Sequence, residues 1–201
     1  MCTFAPMLYL NDRLQDLDVE TSLPLLSEQR REQVMRFKHE QGRRESCAAY
    51  LLLCEGLQKE YGILEPPLFT FSEHGKPEII GHPEIFFNMS HCREAAICVL
   101  YDSPVGVDVE RTGRFDEALV RHTMNSLEVE EIMKAERPDV EFIKFWTRKE
   151  ALLKYTGEGI HNDMRNVLNH CKMPITTVVA QDYRYVYSVC GTPHHLTPIT
   201  Q

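Results

Sequence analysis

Residues 103–111 read SPVGVDVER, and no other stretch constrains the fold as tightly. In an extended chain, side chains i and i+2 share a face. Val107 and Val109 therefore line one face of the strand, and Asp108 and Glu110 the other. A strand with one apolar face must pack that face on a core. Gly106, just before the pair, lets the backbone turn in closely. The two acids read either as the solvated side of a half-buried strand or as two oxygen ligands aimed at one divalent cation. The rest of the chain decides between these.

Around this strand the patterning alternates between helix and strand. MLYLND reads as a first strand, and LSEQRREQVMRFKH and RRESCAAYLLLCEGLQKEYG carry helical spacing. The second of these helices has an apolar stripe of Ala48, Leu51, Leu52 and Leu57. PPLFTFSEHGKPEI reads as strand, turn, strand, with the turn at residues 74–77, and EIFFNMSH and EAAICVLYD as two further strands. Two helices follow, DEALVRHTMNSLEVEEIMKAE and DVEFIKFWTRKEALLKYTGEG, the latter leaving through Gly157 and Gly159. MPITTVVAQD and YRYVYSVCG close the chain as strands, and TPHHLTPITQ, residues 192–201, reads as a flexible tail. The expected fold class is α+β, in two loosely similar halves, 1–102 and 103–201, with the seam near Asp102–Pro104. Clefts favour such interfaces, so a site between the halves is expected.

Composition narrows the function classes. With 201 residues, 43% of them hydrophobic, the chain can bury a proper core. A net charge of −8 argues against bulk attraction to nucleic acid or to an anionic membrane. No apolar run approaches the roughly 20 residues that span a bilayer, and the N-terminus lacks the pattern of a secretory signal. The seven cysteines are odd in number and form no C-x-x-C pair, which suits buried thiols in a reducing, cytoplasmic setting. Residues 27–45 are locally basic, carrying Arg30, Arg31, Arg36, Lys38, Arg43 and Arg44. Such a segment suits either a small anionic ligand or a solvated helix face.

FWTRKEALLK, residues 145–154, is the most informative segment for chemistry. Glu150 and Lys154 lie four apart on a helix, behind Phe145 and Trp146, which can anchor it in a core. As a surface pair they contribute a few tenths of a kcal/mol, about 0.3. As functional groups, an acid and an ammonium suit phosphoryl chemistry, one orienting a nucleophile and the other neutralising developing charge. Ser90 and His91 end a strand where a hydroxyl and an imidazole can bind phosphate, and Lys76 sits in a turn within reach of an anion. Asn125 and Glu128 have capping-box spacing, and Glu128 is also a candidate third acid for a metal. Carboxylates with phosphate oxygens and water suit Mg²⁺.

Taken together, GKP, FNMSH, VGVDVE and WTRKEALLK resemble the 4′-phosphopantetheinyl transferases of the surfactin-synthetase-activating type. The first two motifs are weak alone; G-V-D-V-E with W-x-x-K-E-A-x-x-K fills every position of both family signatures. The resemblance implies a pseudo-dimer of two similar α+β halves, with coenzyme A and Mg²⁺ in the cleft between them. It implies transfer of the phosphopantetheine arm of coenzyme A to a serine of an acyl carrier protein or peptidyl carrier domain, with release of adenosine 3′,5′-bisphosphate. By position, Asp108, Glu110 and Glu128 would hold Mg²⁺, with Glu150 nearby orienting or deprotonating the carrier serine, directly or through water. Lys154 would sit on the pyrophosphate, and Lys76, Ser90 and His91 would contact the nucleotide and its phosphates. Arg30, Arg44 and Ser46 are the nearest matches to the family's contacts with the 3′-phosphate and adenine, although Glu45 stands where the family often has a base. Glu130 is the alternative third acid; spacing from Asp108 favours Glu128. A monomer is implied, and the choice among fatty acid, polyketide, non-ribosomal peptide and siderophore carriers is left open.

Two other readings compete. A non-catalytic coenzyme A-binding or carrier-binding homologue would lack a catalytic acid or lysine, yet Asp108, Glu110, Glu150 and Lys154 are all present. A transition-metal site drawn from His170, Cys171, Cys190, His194 and His195 matches no standard zinc spacing.

Overall fold

The structure, a computed structural model, describes residues 5–113, 115–159, 163–169, 171–192 and 196–200. In chain order the strands are β1 (Met7–Asn11), β2 (Phe69–Phe71), β3 (Pro77–Ile79), β4 (Phe86–His91), β5 (Ala96–Tyr101), β6 (Gly106–Arg111), β7 (Ile175–Val179), β8 (Tyr185–Cys190) and β9 (Ile199–Thr200). The helices are α1 (Val19–Ser22), α2 (Glu28–Met35), α3 (Glu40–Gly56), α4 (Glu117–Thr123), α5 (Ser126–Lys134) and α6 (Pro138–Thr156). The class is mixed α and β, as expected.

Two sheets carry the architecture. The first has the order β4-β5-β1-β9, and the second β6-β8-β7, all antiparallel except β1 with β9. Period-2 alternation splits the first sheet cleanly. Tyr9, Cys98 and Leu100 meet α3, while Leu8, Leu10, Ile97 and Val99 face the other way. There they meet Val107, Val109, Tyr187 and Val189 of the second sheet, so the two sheets share one apolar layer. The valines of SPVGVDVER thus sit where the alternation requires, and Asp108 and Glu110 are left on the face that carries α6.

Helix α6 is long because its ends are well specified. Pro138 opens it, Asp139 and Glu141 lie in the first turn, Lys154 lies in the last, and Gly157 leaves in the left-handed region at φ 74°. It packs onto β6 at Gly106. A Cβ placed there would lie 2.1 Å from the carbonyl oxygen of Ala151 and 2.4 Å from the amide nitrogen of Tyr155. The glycine therefore serves helix–strand contact rather than a turn. Thr147 and Ser188 hydroxyls, 2.8 Å apart and buried, tie the same helix to β8.

A buried hydrogen bond from the backbone helps to join the two sheets. The amide N–H of Val107 donates to Asn88 Oδ1 at 2.9 Å, linking β6 to β4. Asn88→Ala leaves that buried N–H without a partner. It is expected to lower stability by about 1–3 kcal/mol, measured by denaturant unfolding.

Two expectations are corrected. Residues 116–136 form two helices, because Asn125 accepts from the N–H groups of Leu127 and Glu128 and starts a new helix as its cap. The segment 192–201 does not read throughout as a tail: Ile199 and Thr200 pair with Tyr9 and Leu10, and Ile199 packs on the core beneath α3.

Candidate active site

Three elements converge on one oxygen. Lys154 Nζ on α6 donates to Asp108 Oδ1 on β6 at 2.6 Å and to Ser90 Oγ on β4 at 3.0 Å. Ser90 Oγ itself donates to Asp108 Oδ1 at 2.9 Å. Asp108 is buried, and its other oxygen, Oδ2, has no hydrogen-bond partner among the described residues. A buried carboxylate oxygen left bare is costly unless something cationic or protic completes it.

Glu110 and Glu150 join this node electrostatically. Burial first, then the charge of Asp108, pushes the Glu110 carboxyl up to about 7, while Lys154 opposes the shift. Burial and Asp108 raise Glu150 for the same reasons, again against Lys154. Three carboxyl groups thus compete for one well-placed ammonium. Among the described residues no three His, Cys, Asp or Glu side chains are gathered tightly enough to form a complete metal cage. Mg²⁺ does not ask for one, since it binds through one or two carboxylates plus water and substrate phosphate. The bare Asp108 Oδ2 and the surplus negative charge fit such an ion.

Two clefts border these acids, one at Glu150 and one at Glu110. One, of about 320 Å³, is lined by Lys76, Pro77, Met89, Glu150 and Lys154. The second, of about 540 Å³, lies further along β6 toward the start of α6, with Glu110, Arg111, Phe115, Leu119, Phe142 and Trp146 in its walls.

The remaining sequence candidates fall into two groups. Lys76 is at the first cleft, where its ammonium donates to the carbonyl of Tyr155 at 3.0 Å near the end of α6. Burial holds its pKa below the ordinary lysine range. His91 ends β4 beside Ser90, with Nδ1 3.4 Å from Glu45 Oε2 but without hydrogen-bond alignment. Arg30, in contrast, points inward: its guanidinium lies 5.4 Å from the Tyr50 ring centroid and donates to the Ser46 carbonyl at 2.8 Å. Ser46 is buried with it, and Arg44 is held by Leu17 O and Glu40. None of these three lines the first cleft. The reason is packing: Arg30 closes α2 onto α3, and Arg44 ties α3 to the segment before α1.

Glu128 also stands apart from the node. Its Oε2 accepts from the Asn125 N–H at 2.9 Å, closing a capping box, and from Lys149 Nζ at 2.6 Å. Glu130 pairs with Lys134 on an exposed face. Of the competing transition-metal set, His170, His194 and His195 lie outside the described residues, while Cys171 and Cys190 are free thiols.

Lys149, which is not among the sequence candidates, is wholly buried. A signal was available. Phe142, Phe145, Lys149 and Leu152 fall on one helical stripe, and a lysine on an apolar stripe must find partners inside.

Known proteins resemble this chain over the segment that carries these residues. Residues 104–190 match the model of the 4′-phosphopantetheinyl transferase superfamily. The 4′-phosphopantetheinyl transferase AcpT of Salmonella typhimurium is 33% identical over 140 residues, covering 67% of this chain and 72% of that protein. The 4′-phosphopantetheinyl transferase psf-1 of Bacillus pumilus is 28% identical over 75% of this chain and 66% of its own length. The 4′-phosphopantetheinyl transferase Sfp of Bacillus subtilis is 26% identical over 76% of this chain and 70% of its own. The matched segment contains β6, α6 and the acids and lysine between them, and the chain belongs to the 4′-phosphopantetheinyl transferase superfamily.

Proposed function

We propose that this protein moves the 4′-phosphopantetheine arm of coenzyme A onto a serine of an acyl or peptidyl carrier protein, in a Mg²⁺-dependent reaction that releases adenosine 3′,5′-bisphosphate. The observation that carries the reading is the node of Asp108, Lys154 and Ser90, with Asp108 Oδ2 bare beside Glu110 and Glu150. Asp108, Glu110 and Glu150 are the residues that would hold the cation. When bound, the cation supplies charge neutralisation at the pyrophosphate. Lys154 adds an ammonium beside the same phosphates, and Ser90, His91 and Lys76 offer donors to the nucleotide portion.

In the transfer, the carrier serine oxygen forms a bond to the phosphorus bearing the pantetheine arm. The pyrophosphate P–O bond breaks, and the leaving phosphate departs with the adenosine. The serine proton is taken up at Glu150, directly or through a water that Glu150 orients. Lys154 stabilises the charge that develops on the leaving group.

The two clefts suit two substrates. The first, lined by Lys76 and Lys154, suits anionic coenzyme A; the second, where Phe142 and Trp146 stand beside Glu110, Arg111 and Asp116, suits a carrier domain presenting its serine. Sheet-plus-helix units built on α3 and α6 support reading the fold as two similar halves, and one chain supplies both, as a monomer requires. No helix among the described residues is long and apolar enough to cross a membrane. The free thiols of the described cysteines support a cytoplasmic location.

The test is direct: protein, coenzyme A and Mg²⁺ are mixed with a panel of apo carrier proteins, and phosphopantetheine addition is read by mass spectrometry. Addition to none of them, by folded protein, overturns the reading. A metal prediction goes with it. Asp108→Ala is expected to lower turnover and to raise the Mg²⁺ concentration giving half-maximal rate, and an unchanged metal titration removes Asp108 from the ligand set.

A further inference from the structure

The side chain of Lys149 is fully buried, yet its ammonium is fully satisfied. It donates to Glu128 Oε2 at 2.6 Å, to the Thr123 carbonyl at 3.0 Å and to the Met164 carbonyl at 2.9 Å. Three donors meet three acceptors, one from the end of α4, one from the first turn of α5 and one from the short turn at 164–166. A buried ammonium must place all three of its donors, and this one does so by knotting together three segments around α6. It is also the residue immediately before Glu150.

Successive residues on a helix point about 100° apart. Fixing Lys149 toward α4 and α5 therefore fixes the direction of Glu150, which lines the first cleft on the neighbouring face. Contact at Gly106 sets how near α6 lies to β6, but contact alone leaves the helix free to roll about its axis. The Thr147–Ser188 bond and the Lys149 knot oppose that roll from two sides. We infer that Lys149, together with Glu128, is a positioning element: it sets the rotation of α6 that aims Glu150 at Asp108. In this role Glu128 serves the site through its ammonium partner on α6, Lys149, instead of by touching substrate. The inference rests on the transfer reaction proposed above and adds two residues to its machinery.

The test is a double-mutant cycle on transfer rate. Lys149→Met keeps the side-chain length and removes the ammonium. It is expected to lower kcat by about 100-fold, the cost of a misplaced reacting group, at a temperature well below its unfolding midpoint. In a Glu150→Gln background the same change is expected to add almost nothing, because the group it positions is already disabled. Equal losses in both backgrounds overturn the inference. Ile132→Ala, which loosens α5 against α6 in the same core without touching the knot, is the control. If it loses as much kcat for a matching fall in midpoint, Lys149 acts only through stability and the inference fails. Should Lys149→Met not fold, Glu128→Gln replaces it in the cycle, since it keeps the oxygen and drops the charge. Trp146, the only tryptophan, lies on α6 three residues before Lys149 and reports helix setting without turnover. An emission shift in Lys149→Met but not in Ile132→Ala supports the positioning role even if wild-type protein modifies no carrier, an outcome that removes the proposed function alone. An emission spectrum unchanged by Lys149→Met overturns it.

Discussion

Glu150→Gln is expected to reduce phosphopantetheine transfer by about 10²- to 10⁴-fold, the range for losing a positioned general base. Coenzyme A binding, followed by calorimetry, is expected to persist, since the amide keeps the shape of the first cleft and leaves Lys154 in place. The geometry behind this is specific. Glu150 lies in the cleft wall beside Lys154, and burial and the neighbouring Asp108 charge both favour its taking a proton. Lys154 opposes that shift, so the carboxyl remains available as a base while the lysine stays committed to Asp108 and Ser90. A Glu150→Gln protein that modifies carriers at the wild-type rate would remove the base role from this residue. Loss of coenzyme A binding along with turnover would instead place Glu150 in substrate binding.

Gly106→Ala is the substitution expected to cost most in stability. The added methyl would meet backbone atoms of Ala151 and Tyr155 at 2.1 and 2.4 Å, and backbone cannot swing aside as a flexible side chain can. Either α6 lifts from β6 or the strand bends. Overpacking of this kind costs about 3 kcal/mol or somewhat more. For a domain of this size that lowers the unfolding midpoint by roughly 6–12 °C. Transfer per folded molecule is expected to fall as well, because Lys154 and Glu150 move with the helix while Asp108 stays on the strand. Thermal unfolding by circular dichroism measures the first effect, and transfer at low temperature measures the second. A midpoint equal to wild type would mean that the helix does not rest on Gly106 as described.

These two positions show what was legible in the chain. The alternation of Val107, Asp108, Val109 and Glu110 requires valines inward and acids on the opposite face, and the fold obeys it. The i, i+4 spacing of Glu150 and Lys154 puts both on one side of a helix, and both line the same cleft. Asn125 and Glu128 announce a helix start, which explains the break between α4 and α5. All of these are local rules, settled by backbone geometry within a few residues.

The misplaced candidates depended on partners far along the chain. Arg30 has the charge of a phosphate ligand, but its guanidinium is taken up by Gln33 Oε1, the Ser46 carbonyl and the Tyr50 ring, the last two across the α2–α3 interface. Glu128 has a spacing compatible with the metal, but a buried lysine 21 residues later takes its carboxylate. Gly106 reads as a turn residue until the helix that crosses it, some 45 positions downstream, is in place.

By itself the sequence determined the element types, the faces they present and the chemical groups at hand, because periodicity and capping act over one or two turns. Only the tertiary structure decided which groups meet. Asp108, Ser90 and Lys154 come from three elements, and their convergence on a single oxygen follows from the close seating of α6 on β6 and from the Asn88 bond that holds β4 beside it. Long-range packing also settled which charges are already neutralised, as Glu128 is by Lys149, and which remain open to a ligand, as Asp108 Oδ2 does. Desolvation makes that distinction matter, since a buried charge must find its partner within the fold or take one from solution.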